Sequence, residues 1–345
     1  MTPRFNKVYV ILPYDGATGG IELGHQLVDY INNHGGDAYV LYQENDQIVK
    51  TDKVTPAYTD YNIKVACEID DEAGNMLVLP EVYFDWMYRY KYIKLGFWWM
   101  SVDNHFKNCH WLDCFRFHTN WRHRIIRTYQ NFRKGVRNTL ADMRRDHDRI
   151  YHFYQSAYAQ NFLYNSGIGR VIPLGDYINP ATYTPGETAT TTPAKREDLI
   201  LYNPLKGLRF TRRLIKANPD IEFIALRDLS RRQLNDYMRR AKLYIDFGNF
   251  PGKDRLPREA VMNGMCIITG TEGASKYYED VAIDSDYKFA VKRRNISAIS
   301  RKIREVLENF DAHTSRFDNY RERIRREKAE FATQINNFFF VGDPS

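Results

Sequence analysis

The densest run of side chains able to do chemistry is residues 243–280, LYIDFGNFPGKDRLPREAVMNGMCIITGTEGASKYYED. Leu243-Tyr244-Ile245 reads as a buried strand that runs into a polar loop, Asp246 to Leu256, punctuated by Gly and Pro. Lys253, Asp254 and Arg255 gather charge in that loop. Pro257 suits the first turn of a helix, where its missing N–H costs nothing. Glu259 then falls in that first turn, where the helix dipole favours an anion. Gly264 ends the helix, Met265 to Thr269 reads as a second apolar strand, and Gly270 to Ser275 as a small-residue turn before another helix. Two strand-loop-helix units in succession put polar loops at the carboxyl ends of parallel strands, the edge where open α/β sheets bind ligands.

Other candidates are spread along the chain. Tyr14 to Gly20 is a loop carrying Gly19 and Gly20 between an apolar strand, Lys7 to Pro13, and a helix from Ile21 to His34. Such a turn offers backbone N–H groups and a helix N-terminus to an anion. Asp103 follows the apolar run Lys94 to Met100, at a strand's carboxyl end. His105/Cys109 and Cys114/His118 have the i,i+4 spacing that could ligate zinc on a helix, but no CxxC or HExxH motif accompanies them. Asp284-Ser285-Asp286 spells an acidic DxD in a turn-like segment beyond the last strand. Neither is expected to bind metal.

The elements that position these residues follow a βα rhythm in two stretches. The chain has 345 residues, which suggests about two domains at roughly 150 residues each. Hydrophobic content of 43% supports full cores, and a net charge of +7 makes an anionic partner plausible. No apolar run reaches the roughly 18 residues of a membrane span, and the first residues lack a secretory h-region and cleavage site. Four Cys are few, so reduced thiols in a cytoplasmic protein are expected. Leu174 to Asp198, rich in Thr and Pro and without periodicity, reads as an interdomain linker.

Residues 105–149 break the rhythm. Arg122, Arg124, Arg127, Arg133, Lys134, Arg137, Arg144, Arg145 and Arg149 are interleaved with Ile125, Ile126, Tyr129, Phe132, Val136 and Leu140. This predicts a basic amphipathic helix or helix pair. Its apolar stripe either packs inward under a solvated face or sits on an anionic membrane surface. No recognised module for nucleic acid surrounds it.

The second half resembles nucleotide-sugar glycosyltransferases of the GT-B fold, most closely the large group 1 (family 4) set. The resemblance rests on Tyr202-Asn203-Pro204-Leu205-Lys206-Gly207, the basic helix after it, and PREAVMNGMCIITGTEGASKYYED from Pro257. Gly19-Gly20 before a helix, and Leu174-Gly175-Asp176 followed by Tyr183, resemble the family's glycine loop and linker entry. The resemblance implies an α/β chain of two Rossmann-like domains facing each other across a cleft. The expected boundaries are an acceptor domain over 1–175 with the basic insertion at 105–149, a linker over 176–197, and a donor domain over 198–315. A helical segment, 316–345, would pack back on the first domain.

The family's functional residues carry over position by position. Glu259 matches the second Glu of the Glu-x7-Glu motif, expected to hold the donor ribose hydroxyls, while the first Glu's place is taken by Pro251. Asp246 or Asp254 could take over that role. Lys206 matches the diphosphate-binding Lys, with Arg209, Arg212, Arg213, Lys253, Arg255 and Arg258 as further cations and Gly273-Ala274-Ser275 as a helix N-terminus. Cations there stabilise the charge of the departing diphosphate. Asp103 is the expected base or acceptor contact.

The expected activity is metal-independent sugar transfer to a glycan or lipid-linked acceptor in cell-surface polysaccharide synthesis. It would take place in the cytoplasm or on the inner face of the membrane, with no cofactor and no nucleic acid. The alternatives are a non-catalytic nucleotide- or glycan-binding protein and a nucleotide-sugar epimerase.

Overall fold

A computed structural model gives the structure of residues 1–16, 18–118, 121–137, 139–183 and 196–341. Residues 184–195 of the Thr- and Pro-rich stretch lie outside the described residues, as does Ala17 of the first glycine turn. Two compact units emerge. One is Met1–Asp176 together with the chain from Lys328 onward; the other is Tyr177–Glu327.

The first unit is built on parallel strands β1 (Val8–Pro13), β2 (Ala38–Glu44), β3 (Met76–Pro80), β4 (Lys94–Trp99), β5 (Ile150–Tyr154) and β6 (Val171–Pro173). They lie side by side in the order β2-β1-β3-β4-β5-β6, with Gln47–Ile48 antiparallel on the outer edge of β2. In register, Val10 faces Val40 on one side and Val78 on the other. These strands read as near-continuous apolar runs because helices cover both faces of a parallel sheet. Val8 through Leu12 are all buried, at about 1.5–3 kcal/mol for each fully buried large side chain.

Helix α1 (Gly19–Asn33) buries Ile21, Leu23, Leu27, Val28 and Ile31. It begins two residues before the expected Ile21, so Gly19 and Gly20 form its first turn rather than a loop. Thr18, in extended conformation, occupies the N-cap position.

The basic insertion folds into α2 (Val102–His105), α3 (Trp111–Phe117), α4 (Trp121–Lys134) and α5 (Thr139–Arg145). On α4 the amphipathic stripe does not pack inward. Ile125, Ile126, Tyr129 and Phe132 are 60%, 52%, 63% and 60% exposed. The polar Asn131 is buried instead and donates to the Phe106 carbonyl at 3.1 Å. After α6 (Ala157–Asn165), capped by the Ser156 hydroxyl, the strand β6 closes this part of the sheet.

The second unit has the sheet order β8-β7-β9-β10, all parallel, from β7 (Glu197–Tyr202), β8 (Glu222–Ala225), β9 (Ala241–Asp246) and β10 (Cys266–Thr269). Helices α7 (Leu208–Ala217), α8 (Arg231–Arg240), α9 (Arg255–Met262) and α10 (Ile296–Glu308) connect and follow these strands. Ser230 and Gln233 close a capping box on α8.

The last long helix, α11 (Asp318–Phe339), starts in the second unit and ends in the first. Of the helical segment expected over 316–345, α11 takes in Asp318–Phe339, and its terminal aromatic residues are buried: Phe338 packs on Phe153 at 4.8 Å between ring centroids. Phe340–Val341 then pairs antiparallel with Thr2–Pro3. Among the described residues no helix is long and apolar enough to cross a membrane.

Candidate functional site

Three loops meet at the carboxyl ends of β7, β9 and β10, and two glycines let them approach. Gly207 has φ +60°, and a Cβ there would sit 2.5 Å from the Phe247 carbonyl carbon. Gly273 has φ +64°, and a Cβ would sit 2.0 Å from the Phe250 carbonyl oxygen. Both positions demand glycine for conformation and for space. The family-like "KG" pair therefore has a mechanical reason: Gly207 lets the turn press against the 247–248 backbone, which places Lys206 beside Asp246 and Asp254.

Lys206 is ion-paired with Asp254, its Nζ also lying 3.4 Å from the Asn249 carbonyl and 5.4 Å over the Phe250 ring. Asp254 occupies the N-cap position of α9 without capping it through its side chain. Asp246, 2% exposed, accepts from the Gly248 amide at 2.9 Å and from the Tyr244 hydroxyl at 3.0 Å. Burial pushes its pKa up to about 6, against the opposing pull of Lys206. Asp246 and Asp254, the two substitutes considered for the missing first Glu, thus both surround Lys206.

Helix α9 starts at Arg255, two residues before Pro257, so Pro257 is its third residue and Glu259 lies in the second turn, not the first. The carboxylate of Glu259 is therefore not held by the exposed N–H groups of the helix end. It is 4% exposed, and its Oε2 accepts from Arg231 at 3.0 Å. Arg231, the first residue of α8, was not singled out from the sequence. The Ser230–Gln233 capping pattern fixes where that helix starts, but pairing with Glu259 across 28 positions leaves no local signal.

Other expected cations have different surroundings. Arg258 is 1% exposed; its guanidinium binds Glu327 at 2.7 Å and the Lys253 carbonyl at 3.0 Å. Lys253 Nζ reaches the other oxygen of Glu327 at 2.9 Å. Glu327, on α11, thus anchors Lys253 of the loop and Arg258 of α9, and nothing in the sequence signals it. Arg209, Arg212 and Arg213 are exposed on α7. The helix expected after Gly273 is only a short 3-10 turn, Ala274–Lys276. The Ala274 amide donates to the Phe250 carbonyl at 2.8 Å, and the Ser275 hydroxyl turns inward to the Gly270 and Glu272 carbonyls. A helix N-terminus is therefore not formed there.

In the first unit the carboxyl edge carries Gly19 and Gly20 at the start of α1, Glu81 after β3, and Asp103 after β4. Asp103 sits in the short α2 and accepts from the Tyr158 hydroxyl at 2.8 Å. Glu81, not noticed in the sequence, accepts from the Met100 amide at 3.1 Å, and burial pushes its pKa up to about 7. His105 is buried among Phe84, Trp99, Phe106 and Phe162, which lowers its pKa to about 4. The Asp284 and Asp286 carboxylates both grip Arg316, at 2.6 and 3.0 Å. Among the described residues no group of three or more His, Cys, Asp or Glu is arranged to hold a metal ion.

No protein-family model matches this sequence, and no curated protein matches it. Solved structures do match in shape. Sucrose-phosphate synthase from Thermosynechococcus elongatus superposes with a TM-score of 0.62 at 11% identity, covering 97% of this chain and 98% of that one. WaaG, a glycosyltransferase involved in lipopolysaccharide biosynthesis, gives 0.59 at 11% identity over 97% and 100% of the two chains. HepE of Anabaena, solved in complex with UDP-glucose, gives 0.58 at 10% identity over 96% and 98%. The likeness is one of fold: the chain has the GT-B architecture of two Rossmann-like domains expected from its sequence.

Proposed function

We propose that this chain of GT-B fold is a glycosyltransferase that moves a sugar from a nucleoside-diphosphate donor to a glycan or lipid-linked acceptor in cell-surface polysaccharide synthesis. The observation that carries the reading is the joining of Lys206 and Glu259 through α9: Lys206 holds Asp254 at the start of that helix, and Glu259 lies one turn further along it. Donor diphosphate takes the place of Asp254 on Lys206. Donor ribose hydroxyls take the place of Arg231 on Glu259, since a carboxylate accepts two hydroxyl hydrogen bonds. Exposed Arg209 on α7 adds charge beside the leaving diphosphate, so side chains rather than a metal stabilise it. The neighbour HepE, solved with UDP-glucose, supports this donor class.

Acceptor chemistry falls to the first unit, with Asp103 and the Gly19-Gly20 turn facing it. The exposed stripe on α4, rimmed by Arg133 and Lys134, rests on an anionic membrane at the cytoplasmic face. Turnover of a UDP-, GDP- and dTDP-sugar panel, with thermal shift by each nucleoside diphosphate, tests the assignment. Lys206→Ala and Glu259→Ala should each lower kcat/KM by about 100-fold or more, as loss of a group stabilising transition-state charge does. No shift and no turnover with any donor would overturn it.

Pro251 at the place of the first family Glu favours a second reading, a non-catalytic nucleotide- or glycan-binding protein. Nucleotide binding that Glu259→Ala abolishes, with no transfer or hydrolysis, selects it.

A further inference from the structure

On the edge of the first sheet opposite Glu81 and Asp103, at the amino ends of β4 and β5, lies a cavity of about 430 Å³. Three arginines, Arg137, Arg145 and Arg149, share its lining with Tyr88, Asp142 and Asp146. The two aspartates each match one arginine: Arg145 with Asp142 at 3.3 Å and Arg149 with Asp146 at 2.7 Å. Arg149 also donates to the Tyr90 carbonyl at 3.0 Å, which fixes its place in the wall. The second oxygen of Asp142 accepts from the Tyr88 hydroxyl at 2.6 Å. Among the residues of this lining Arg137 is the surplus cation; its charge also acts on Asp85, outside the lining. Its guanidinium lies on the Tyr88 ring, 4.3 Å from the centroid, and the ring itself is tied to Asp142. Stacking orients the planar fork while leaving its edge N–H groups able to donate.

A pre-oriented fork with one net positive charge suits a singly charged phosphate diester, which accepts two parallel N–H bonds. Its place in the chain indicates the source of that phosphate. Arg137 follows α4 by three residues, and α4 exposes an apolar stripe ending in Arg133 and Lys134. Within the first unit the cavity lies on the sheet edge away from Glu81 and Asp103, so its occupant is an anchor rather than a reactant. We propose that this cavity binds the phosphodiester headgroup of an anionic phospholipid through Arg137. The proposal rests on the membrane reading of α4 and adds to it a defined headgroup site.

The test is flotation of the full chain with vesicles of phosphatidylcholine alone and of phosphatidylcholine with 30% phosphatidylglycerol, near 0.1 M salt. Arg137→Ala should weaken binding to the phosphatidylglycerol vesicles by about five- to tenfold, the size of one basic contact at an anionic surface. Binding to phosphatidylcholine should not change. Arg137→Lys, which keeps the charge and loses the fork, should fall between. If both variants bind phosphatidylglycerol vesicles as the natural chain does, the headgroup site is wrong. If they do, yet glycerol 1-phosphate shifts the melting temperature of the natural chain and not of Arg137→Ala, the cavity takes a free phosphate ester and the lipid assignment is overturned. Ile126→Ser separates the two claims: it should weaken binding to both vesicle types. If it changes neither, the α4 membrane reading fails, whatever Arg137 does.

Discussion

Around α9 the charged side chains turn inward and find partners; at the end of α4 Arg133 and Lys134 are exposed together with the apolar stripe. Arg258, Lys253 and Glu327 form a triad in which none is more than 14% exposed at the side chain. On α4 the polar Asn131 is buried, while four large apolar side chains meet solvent. Both segments are basic and both alternate polar with apolar residues. A charge removed from water must be matched and fixed, which suits recognition of one small anion in one geometry. A charge left in water is screened and mobile, which suits a broad anionic surface.

The contrast breaks most visibly at Glu327. Its replacement in Glu327→Ala leaves the Arg258 guanidinium buried without a carboxylate and should cost about 3–5 kcal/mol of stability, read by chemical denaturation; a cost below about 1 kcal/mol would mean the triad is as weakly coupled as a surface pair.

Asp246 sharpens the same point through pH. Its pKa in the fold, about 6, lies above its ordinary value of 3.8, so the fold favours the protonated carboxyl. That contribution is complete below about pH 4, declines as pH rises towards 6 and is absent above it. It amounts to about 3 kcal/mol for a shift of this size. Denaturation midpoints of the natural chain and Asp246→Asn should therefore diverge with rising pH across that window. Parallel curves would place Asp246 in contact with water.

Asp254→Asn releases Lys206 from its carboxylate and should tighten nucleoside diphosphate binding by about tenfold, roughly 1.4 kcal/mol, measured by calorimetry. Weaker binding would make Asp254 the group that holds Lys206 in place rather than its competitor. The smallest effect belongs to α4: Ile125→Ser and Phe132→Ser should each change stability by no more than about 0.5 kcal/mol. A loss of 2 kcal/mol or more, the size of a core truncation, would show that the stripe is packed after all.

The sheets were legible in the sequence because buried parallel strands are written as short apolar runs between turn residues, as at Val8–Pro13 and Cys266–Thr269. The KG turn and the helix bearing Glu259 were legible as motifs. Helix starts were less so. Pro257 fits any position of a first turn, and it sits third rather than first, which moves Glu259 away from the helix end. The pairings that define the site were not legible. Lys206 meets Asp254 across 48 positions and Arg258 meets Glu327 across 69, and composition says nothing about contacts at that range. Nor does periodicity reveal what covers a stripe: α4 has the spacing of a packed helix, and only the tertiary structure shows its apolar side bare.

The first unit is interrupted in sequence. Phe338 and Phe339 pack against Phe153 in a layer whose strands lie in the first half of the chain, and 151 residues, Tyr177–Glu327, intervene. On a ribosome adding about 5–20 residues per second, Phe153 emerges roughly ten to forty seconds before the aromatic residues that cover it, and the first strand earlier still. During that interval Phe5 and Phe153 lack their last neighbours, so synthesis order leaves this domain a time of exposed apolar surface that the later one, contiguous in the chain, does not share.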